Sequence, residues 1–132
     1  MIPPPRAVAL TLCDAVIVEE GTRKVSLINT FTGLRLSHFP AAPQPFCVYA
    51  TLTDGQGEGL VELAVTRLET DEEIYSLRRP LRFPDRLTDV GVLFRISGCV
   101  FPAPGTYLFT LLLDGDWVAH RRIRVQTREG QP

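Results

Sequence analysis

The sequence has 132 residues, a length typical of one domain with a hydrophobic core of its own. Apolar residues make up 45% and charged residues 22%, proportions of a folded protein that exclude wholesale disorder. The formal net charge of −1 leaves no basic excess to neutralise phosphates, which argues against a dedicated nucleic-acid-binding protein.

The N-terminus begins with a proline-rich lead at residues 1–5, followed by an apolar stretch that Thr11 and Asp14 interrupt. No small-residue cleavage site follows, so the pattern does not predict a secretion signal. No run reaches the roughly 18 apolar residues that a membrane helix needs, so we expect no membrane association.

The cysteines Cys13, Cys47 and Cys99 are odd in number, widely spaced and without a CxxC pair. Three thiols cannot all pair within one chain, and thiols in strands usually behave as small buried hydrophobes. We therefore expect free cysteines and a cytoplasmic location.

Apolar and polar residues alternate with a period of two along most of the chain, as in β-strands. The sequence predicts about eight strands, near residues 8–18, 25–28, 46–53, 61–66, 74–77, 90–96, 107–113 and 117–125. Turn residues separate them, and Asp114-Gly115 is typical of a two-residue type I′ hairpin.

Prolines cluster between these strands, because proline lacks the N–H that a central strand donates. The segment SHFPAAPQP (37–45) is predicted to be a long surface crossover of the kind that a Greek-key path requires. Residues 1–132 are thus predicted to form one all-β domain, an antiparallel sandwich with little or no helix and a flexible tail at 127–132.

The segment PGTY (104–107) resembles the start of a late strand in bacterial immunoglobulin-like domains, where glycine turns a corner and tyrosine packs inward. This resemblance implies an immunoglobulin-like sandwich. In the strand that follows, Trp117 shares its parity with Ile123 and Val125, which predicts a core position. The alternative is an exposed stacking platform.

Two predicted strands are apolar on both faces, whereas a strand in a two-layer sandwich needs only one apolar face, the one that packs against the other sheet. Leu108 and Leu112 lie opposite the inward residues of their strand, and Leu93 does so in another strand. We predict that these leucines are covered by a loop or form a protein–protein or self-association surface, and the parity leaves both open.

Four arginines, Arg78, Arg79, Arg82 and Arg86, lie within nine positions. Their guanidinium groups suit a carboxylate or a phosphate, so an anionic partner is one interpretation. Pairing with acidic residues of the same chain is the favoured one.

No catalytic or metal-binding motif is present. His38 and His120 lie far apart in sequence, and Asp14 beside Cys13 would raise the thiol pKa, the wrong direction for a nucleophile. Metal-ligand spacing is absent, so we expect no cofactor and no enzymatic activity, with a thiol-dependent enzyme as a minor alternative.

The stretches LTLCDAVIVEEGTRKVSLINTFTGLRL (10–36) and FPAAPQPFCVYATLTDGQGE (39–58), with the later PG-x-Y, resemble a family of short bacterial proteins of unknown function. The resemblance implies a stand-alone β-sandwich and supplies no activity or site residue. Asn29 stands where this family leads us to expect glycine.

These observations favour a non-enzymatic module of a bacterial cytoplasm that docks on a protein or on copies of itself. The alternative is a module for a small ligand or glycan that stacks on Trp117 or Tyr75.

Overall fold

A computed structural model describes residues 5–128 of the chain. The period-two alternation of side chains favours extended backbone, and most of residues 5–128 lie in strands, with no helix among them. The nine strands are β1 (Arg6–Val18), β2 (Val25–Phe31), β3 (Gly33–Leu36), β4 (Phe46–Thr53), β5 (Gly57–Arg67), β6 (Glu72–Phe83), β7 (Val90–Ile96), β8 (Gly105–Leu113) and β9 (Asp116–Thr127).

Two sheets pack face to face, one with the order β2-β1-β4-β7 and the other with the order β3-β9-β8-β5-β6. Their inward residues form one shared core, as the period-two pattern predicted. The largest fully buried side chains are Tyr107, Phe94, Phe101, Phe109, Leu12, Leu52, Leu63, Ile96, Leu111 and Ile123. Burial of each such side chain contributes roughly 1.5–3 kcal/mol of transfer free energy. The all-β sandwich fold is therefore confirmed.

The strand that the sequence did not predict is β3, and it pairs in parallel with β9. Only Thr32 separates β2 from β3, although the two strands lie in different sheets. The chain therefore has no room to reverse, and β3 continues in the direction of β2. Gly33 permits the approach, because a Cβ there would lie 3.2 Å from the carbonyl oxygen of Arg124. This parallel pair is the exception to the antiparallel pairing that the sequence predicts and that all other described strand pairs show.

Tyr107 is fully buried at the corner that leads into β8. Its hydroxyl donates a 2.6 Å hydrogen bond to the carbonyl of Ala103, and its ring meets Phe101 edge-on at 4.8 Å. Gly105 has φ 153°, which the turn into the strand requires. The expected inward packing of the tyrosine is confirmed, and the contact is a tyrosine corner.

Val118 is a β-bulge, since Leu111 pairs with Ala119 whereas Leu112 pairs with Trp117. Because of this extra residue, the β9 side chains that precede Val118 point to the opposite face from the one that a regular strand would give them. Trp117 therefore lies on the outer face and is 60% exposed, although Ile123 is buried as expected. The prediction of a core tryptophan was wrong, and the exposed alternative holds.

The turns follow the sequence closely. Asp114 and Gly115 have φ 51° and 86°, as a type I′ turn requires. Asn29, at the position where the resemblance suggested glycine, has φ 53° and donates a 3.0 Å hydrogen bond to Asp14. Asparagine is one of the few residues other than glycine that tolerate this region.

The proline-rich segment 37–45 crosses from β3 in one sheet to β4 in the other, as expected. At the termini, Pro5 is the only described member of the lead. Of the expected tail, Thr127 belongs to β9 and the N–H of Arg128 donates a 2.7 Å hydrogen bond to the carbonyl of Leu36. The other residues of both segments lie outside the described part of the chain.

Candidate functional site

The three leucines of the predicted interface are half-buried and do not form one surface. Leu108 and Leu112 lie in β8 on the outer face of the five-stranded sheet, whereas Leu93 lies in β7 on the outer face of the four-stranded sheet. Because the two sheets pack through their inner faces, these outer faces point in opposite directions. A partner on one face does not reach the other.

Cross-strand neighbours explain how the leucines of β8 are partly covered. Leu112 lies between Glu62 and Trp117, and Leu108 lies next to Arg122 on the β9 side. Long side chains of this kind cover apolar surface with their stems. The proline-rich crossover leads from β3 into β4, which lies in the other sheet.

The four arginines of the predicted anion contact also separate. Arg78 and Arg82 are exposed on the outer face of β6, where Arg78 forms a 3.6 Å ion pair with Glu62. Arg79 points to the sandwich edge, and its guanidinium donates a 2.7 Å hydrogen bond to the carbonyl of Leu93. Arg86 lies in the following loop. The structure thus places a cross-strand pair and an edge contact where the sequence suggested one cluster.

The thiols are poorly suited to nucleophilic chemistry. Cys13, Cys47 and Cys99 are all free and buried. Burial raises the pKa of Cys13, with smaller contributions from Cys47 and Asp14, and burial raises the pKa of Cys99 to about 12. A reactive thiol needs the opposite shift.

Metal and membrane features are also absent from the described residues. Within residues 5–128, no three His, Cys, Asp or Glu side chains are arranged to hold a metal ion. No helix in this part of the chain is long and apolar enough to cross a membrane.

A cleft of about 370 Å³ opens at the end of the sandwich where β8 turns into β9. The exposed ring of Trp117 and the carboxylates of Asp54, Glu58, Asp114 and Asp116 line it. Two of these carboxylates have partners, since Asp54 accepts a 3.1 Å hydrogen bond from Arg6 and Asp114 accepts one of 2.9 Å from the N–H of Leu60. Phe83, a buried core residue, contributes to the cleft floor.

Tyr75, the other predicted stacking residue, does not join this cleft. It is half-buried in β6 and packs against the core. Its position opposite Val65 directs its ring towards the core.

Four exposed large apolar residues lie together in the distal part of the β1–β2 hairpin, which we call the hairpin arm (residues 15–18 and 25–28). Strand β4 pairs with β1 only as far as Cys13, so the arm is a two-stranded ribbon. Its apolar residues are distributed over both faces. The exposed fractions are 55% for Ile17, 43% for Val18, 38% for Val25 and 38% for Ile28.

The sequence predicts these residues to lie in strands, and their exposure was not predicted. A signal was present, because Val16, Ile17 and Val18 are consecutive apolar residues on a strand that needs only one apolar face. The number of β1 residues that β4 covers depends on register, which a single sequence does not specify.

Fold and surface together define a β-sandwich with an apolar hairpin arm and an acidic cleft beside an exposed tryptophan. The chain belongs to the family of unknown function DUF6941, whose sequence profile matches residues 8–126. A search of curated proteins finds no match.

Proposed function

We propose that this protein is a non-enzymatic interaction module, which docks on a protein surface through its hairpin arm. The observation that carries the proposal is the exposure of apolar side chains on both faces of a ribbon that only two strands form. Two-stranded ribbons are marginally stable in water, and exposed apolar clusters commonly mark contact sites. We propose further that the protein is bacterial and cytoplasmic and that its sandwich is immunoglobulin-like. The sequence resemblance and the tyrosine corner support this part of the proposal.

The proposal moves the interface away from Leu93, Leu108 and Leu112. Those leucines are half-buried on two opposite faces, whereas Ile17 and Ile28 lie on one face of the arm, and Val18 and Val25 lie on the other. A partner that wraps the arm can bury both faces, which a flat contact on one sheet cannot do.

Affinity capture with the tagged chain from a lysate of the encoding organism tests the proposal. We expect a stoichiometric protein, which includes untagged copies of the chain itself, to be retained by the wild type and lost with Ile17→Lys. Leu87→Lys is the matched control, because Leu87 is 91% exposed in the loop before β7, at the opposite edge of the four-stranded sheet. Retention by the Ile17 variant, or loss only with Leu112→Ser, would contradict docking through the arm.

A second function, the binding of a small ligand or glycan, is favoured by the cleft beside Trp117. An exposed indole stacks on the apolar face of a sugar ring, while carboxylates accept hydrogen bonds from its hydroxyl groups. Trp117 is the only tryptophan, so its fluorescence reports on this cleft alone. A saturable change with one member of a sugar panel, lost in Asp116→Asn, supports this function; no change across the panel contradicts it.

A further inference from the structure

Cys13 and Cys47 face each other across two neighbouring strands. They are Cα partners in the antiparallel pairing of β1 with β4, and residues directly opposite in such a pair have Cα atoms roughly 4.5–5.5 Å apart. A disulfide bond requires a Cα separation of about 4.4–6.8 Å. The backbone therefore holds these two free cysteines at a distance that a disulfide bond can span.

Both side chains lie on the outer face of the four-stranded sheet. Their neighbours Leu12 and Val48 point into the shared core, and successive strand residues point to opposite faces. The core includes Cys99 but neither member of the pair. Cys13 and Cys47 are nevertheless only 0% and 4% exposed, so their cover comes from that outer face and not from the second sheet.

The row of residues that crosses the sheet at this point ends in exposed side chains. On its other side Cys13 pairs with Thr30 of β2, and Cys47 pairs with Arg95 of β7. Thr30 and Arg95 are both exposed. Access of a small reactant to the pair therefore requires movement of surface side chains only, while the two sheets stay packed.

We propose that Cys13 and Cys47 are a site of reversible oxidation, at which a low-molecular-weight disulfide converts the two thiols into one disulfide bond within the chain. The thiolate of one cysteine attacks a sulfur of the reagent, forms a mixed disulfide and releases the first small thiol. The other cysteine then displaces the second small thiol. The protein gives up two electrons and two protons, and the reagent takes up both as it becomes two free thiols.

Two features make the exchange slow and the bond easy to reverse. Burial raises the pKa of Cys13, and the adjacent Cys47 thiol raises it further, so little thiolate is present at neutral pH. The Cβ atoms of opposite residues are roughly 4.5–5.5 Å apart, whereas a disulfide draws them to about 3.8 Å. The strands must therefore approach, and a bond formed under such strain is readily reduced. This behaviour suits the cytoplasm proposed above, where lasting disulfides are rare.

The position of the pair connects it with the hairpin arm. Cys13 is the last residue of β1 that pairs with β4, and the arm begins at residue 15. A bond at this point fastens the base of the arm to β4. The inference depends on the pairing register and not on the proposed function, because Ile17→Lys, which is expected to abolish docking, leaves both thiols in place.

Incubation of the full chain with an excess of oxidised glutathione tests the inference. The reaction is run on the folded chain and, in parallel, during refolding from urea, where all three thiols are exposed first and burial cannot limit it. After the remaining thiols are blocked, we expect a monomer that has lost two hydrogen atoms in mass and carries one blocked thiol, at Cys99. Peptide mapping should show Cys13 joined to Cys47, and dithiothreitol should restore the three thiols. The folded chain should give the same product more slowly.

Cys99→Ala is the matched control and should form the same bond, whereas Cys47→Ser should form none within the chain. Three thiols that persist in both reactions overturn the inference, because the folded sheet then rejects the bond even when access is free. A bond that forms only during refolding also overturns it, since the folded protein is then closed to the reagent. So does a bond that includes Cys99, or one that joins two chains.

Discussion

The guanidinium of Arg79 in β6 donates a 2.7 Å hydrogen bond to the carbonyl of Leu93 in β7. A residue predicted for anion binding thus contacts a residue predicted for the interface, and the contact joins the two sheets. Arg121 does the same at the other side of the sandwich, where it donates a 2.9 Å hydrogen bond to the carbonyl of Leu10. Both arginines are consequently structural links between sheets.

Replacement of Arg79 by methionine should lower the free energy of unfolding by about 1 kcal/mol, the usual net contribution of one hydrogen bond at a solvent-accessible position. Methionine keeps the apolar stem and removes only the donor. Arg82→Met is the matched control, because Arg82 is exposed on the same strand and has no hydrogen bond or ion pair with the described residues; its effect should stay within about 0.5 kcal/mol. Urea unfolding measures both, and equal effects would argue against the link.

Trp117 should emit as a water-exposed indole and be quenched efficiently by acrylamide, since 60% of it is exposed. The carboxylates that line the cleft give it a negative charge, which charged quenchers can test. Relative to their quenching of a free, uncharged tryptophan derivative, caesium ions should quench the fluorescence more and iodide ions less at low ionic strength, because the negative cleft attracts cations and repels anions. The preference should disappear in the unfolded protein, and a blue-shifted, unquenched emission would contradict the outer position of Trp117.

The sequence predicted the strands well because period-two alternation reflects burial directly. Period-two alternation over the predicted strand 46–53 places Phe46, Val48, Ala50 and Leu52 on one face, and all four are buried. In β9 the same alternation gave a wrong face for Trp117, because the strand contains one extra residue. The bulge at Val118 leaves no mark in the alternation that distinguishes it from a regular strand, so Trp117 was assigned to the wrong face.

The candidate surfaces were harder to predict than the strands. Whether Leu93, Leu108 and Leu112 share a surface depends on which sheet each strand joins, and strand order is a property of the whole fold. The exposure of Ile17 and Ile28 depends on how far β4 runs beside β1. Local residue chemistry reports neither quantity.

Replacement of Tyr107 by phenylalanine should lower the free energy of unfolding by about 1–2 kcal/mol. The ring stays in place against Phe101, while the carbonyl of Ala103 loses the donor that now lies 2.6 Å away. Tyr75→Phe is the control, because the Tyr75 hydroxyl makes no hydrogen bond with residues 5–128. Denaturant unfolding gives both values, and a loss for Tyr75→Phe as large as that for Tyr107→Phe would contradict the corner's contribution.

Cys99 should make the fold weaker in alkaline solution. Burial raises the pKa of its thiol from 9.0 to about 12, so between these two pH values the unfolded chain releases a proton that the folded chain retains. Proton release by the unfolded state alone lowers the free energy of unfolding as pH rises, by about 1.4 kcal/mol per pH unit. The contribution is fully present below pH 9.0 and is lost progressively towards pH 12.

Cys99→Ala removes this titration and leaves every other alkaline group in place. The free energy of unfolding, measured in denaturant with a reductant at about pH 8 and about pH 10.5, should therefore fall by about 1–2 kcal/mol more in the wild type than in Cys99→Ala. Alanine itself lowers stability at both pH values, because it leaves a small cavity, but that loss cancels in the difference. An identical pH dependence in the two proteins would show that the Cys99 thiol reaches solvent in the folded state.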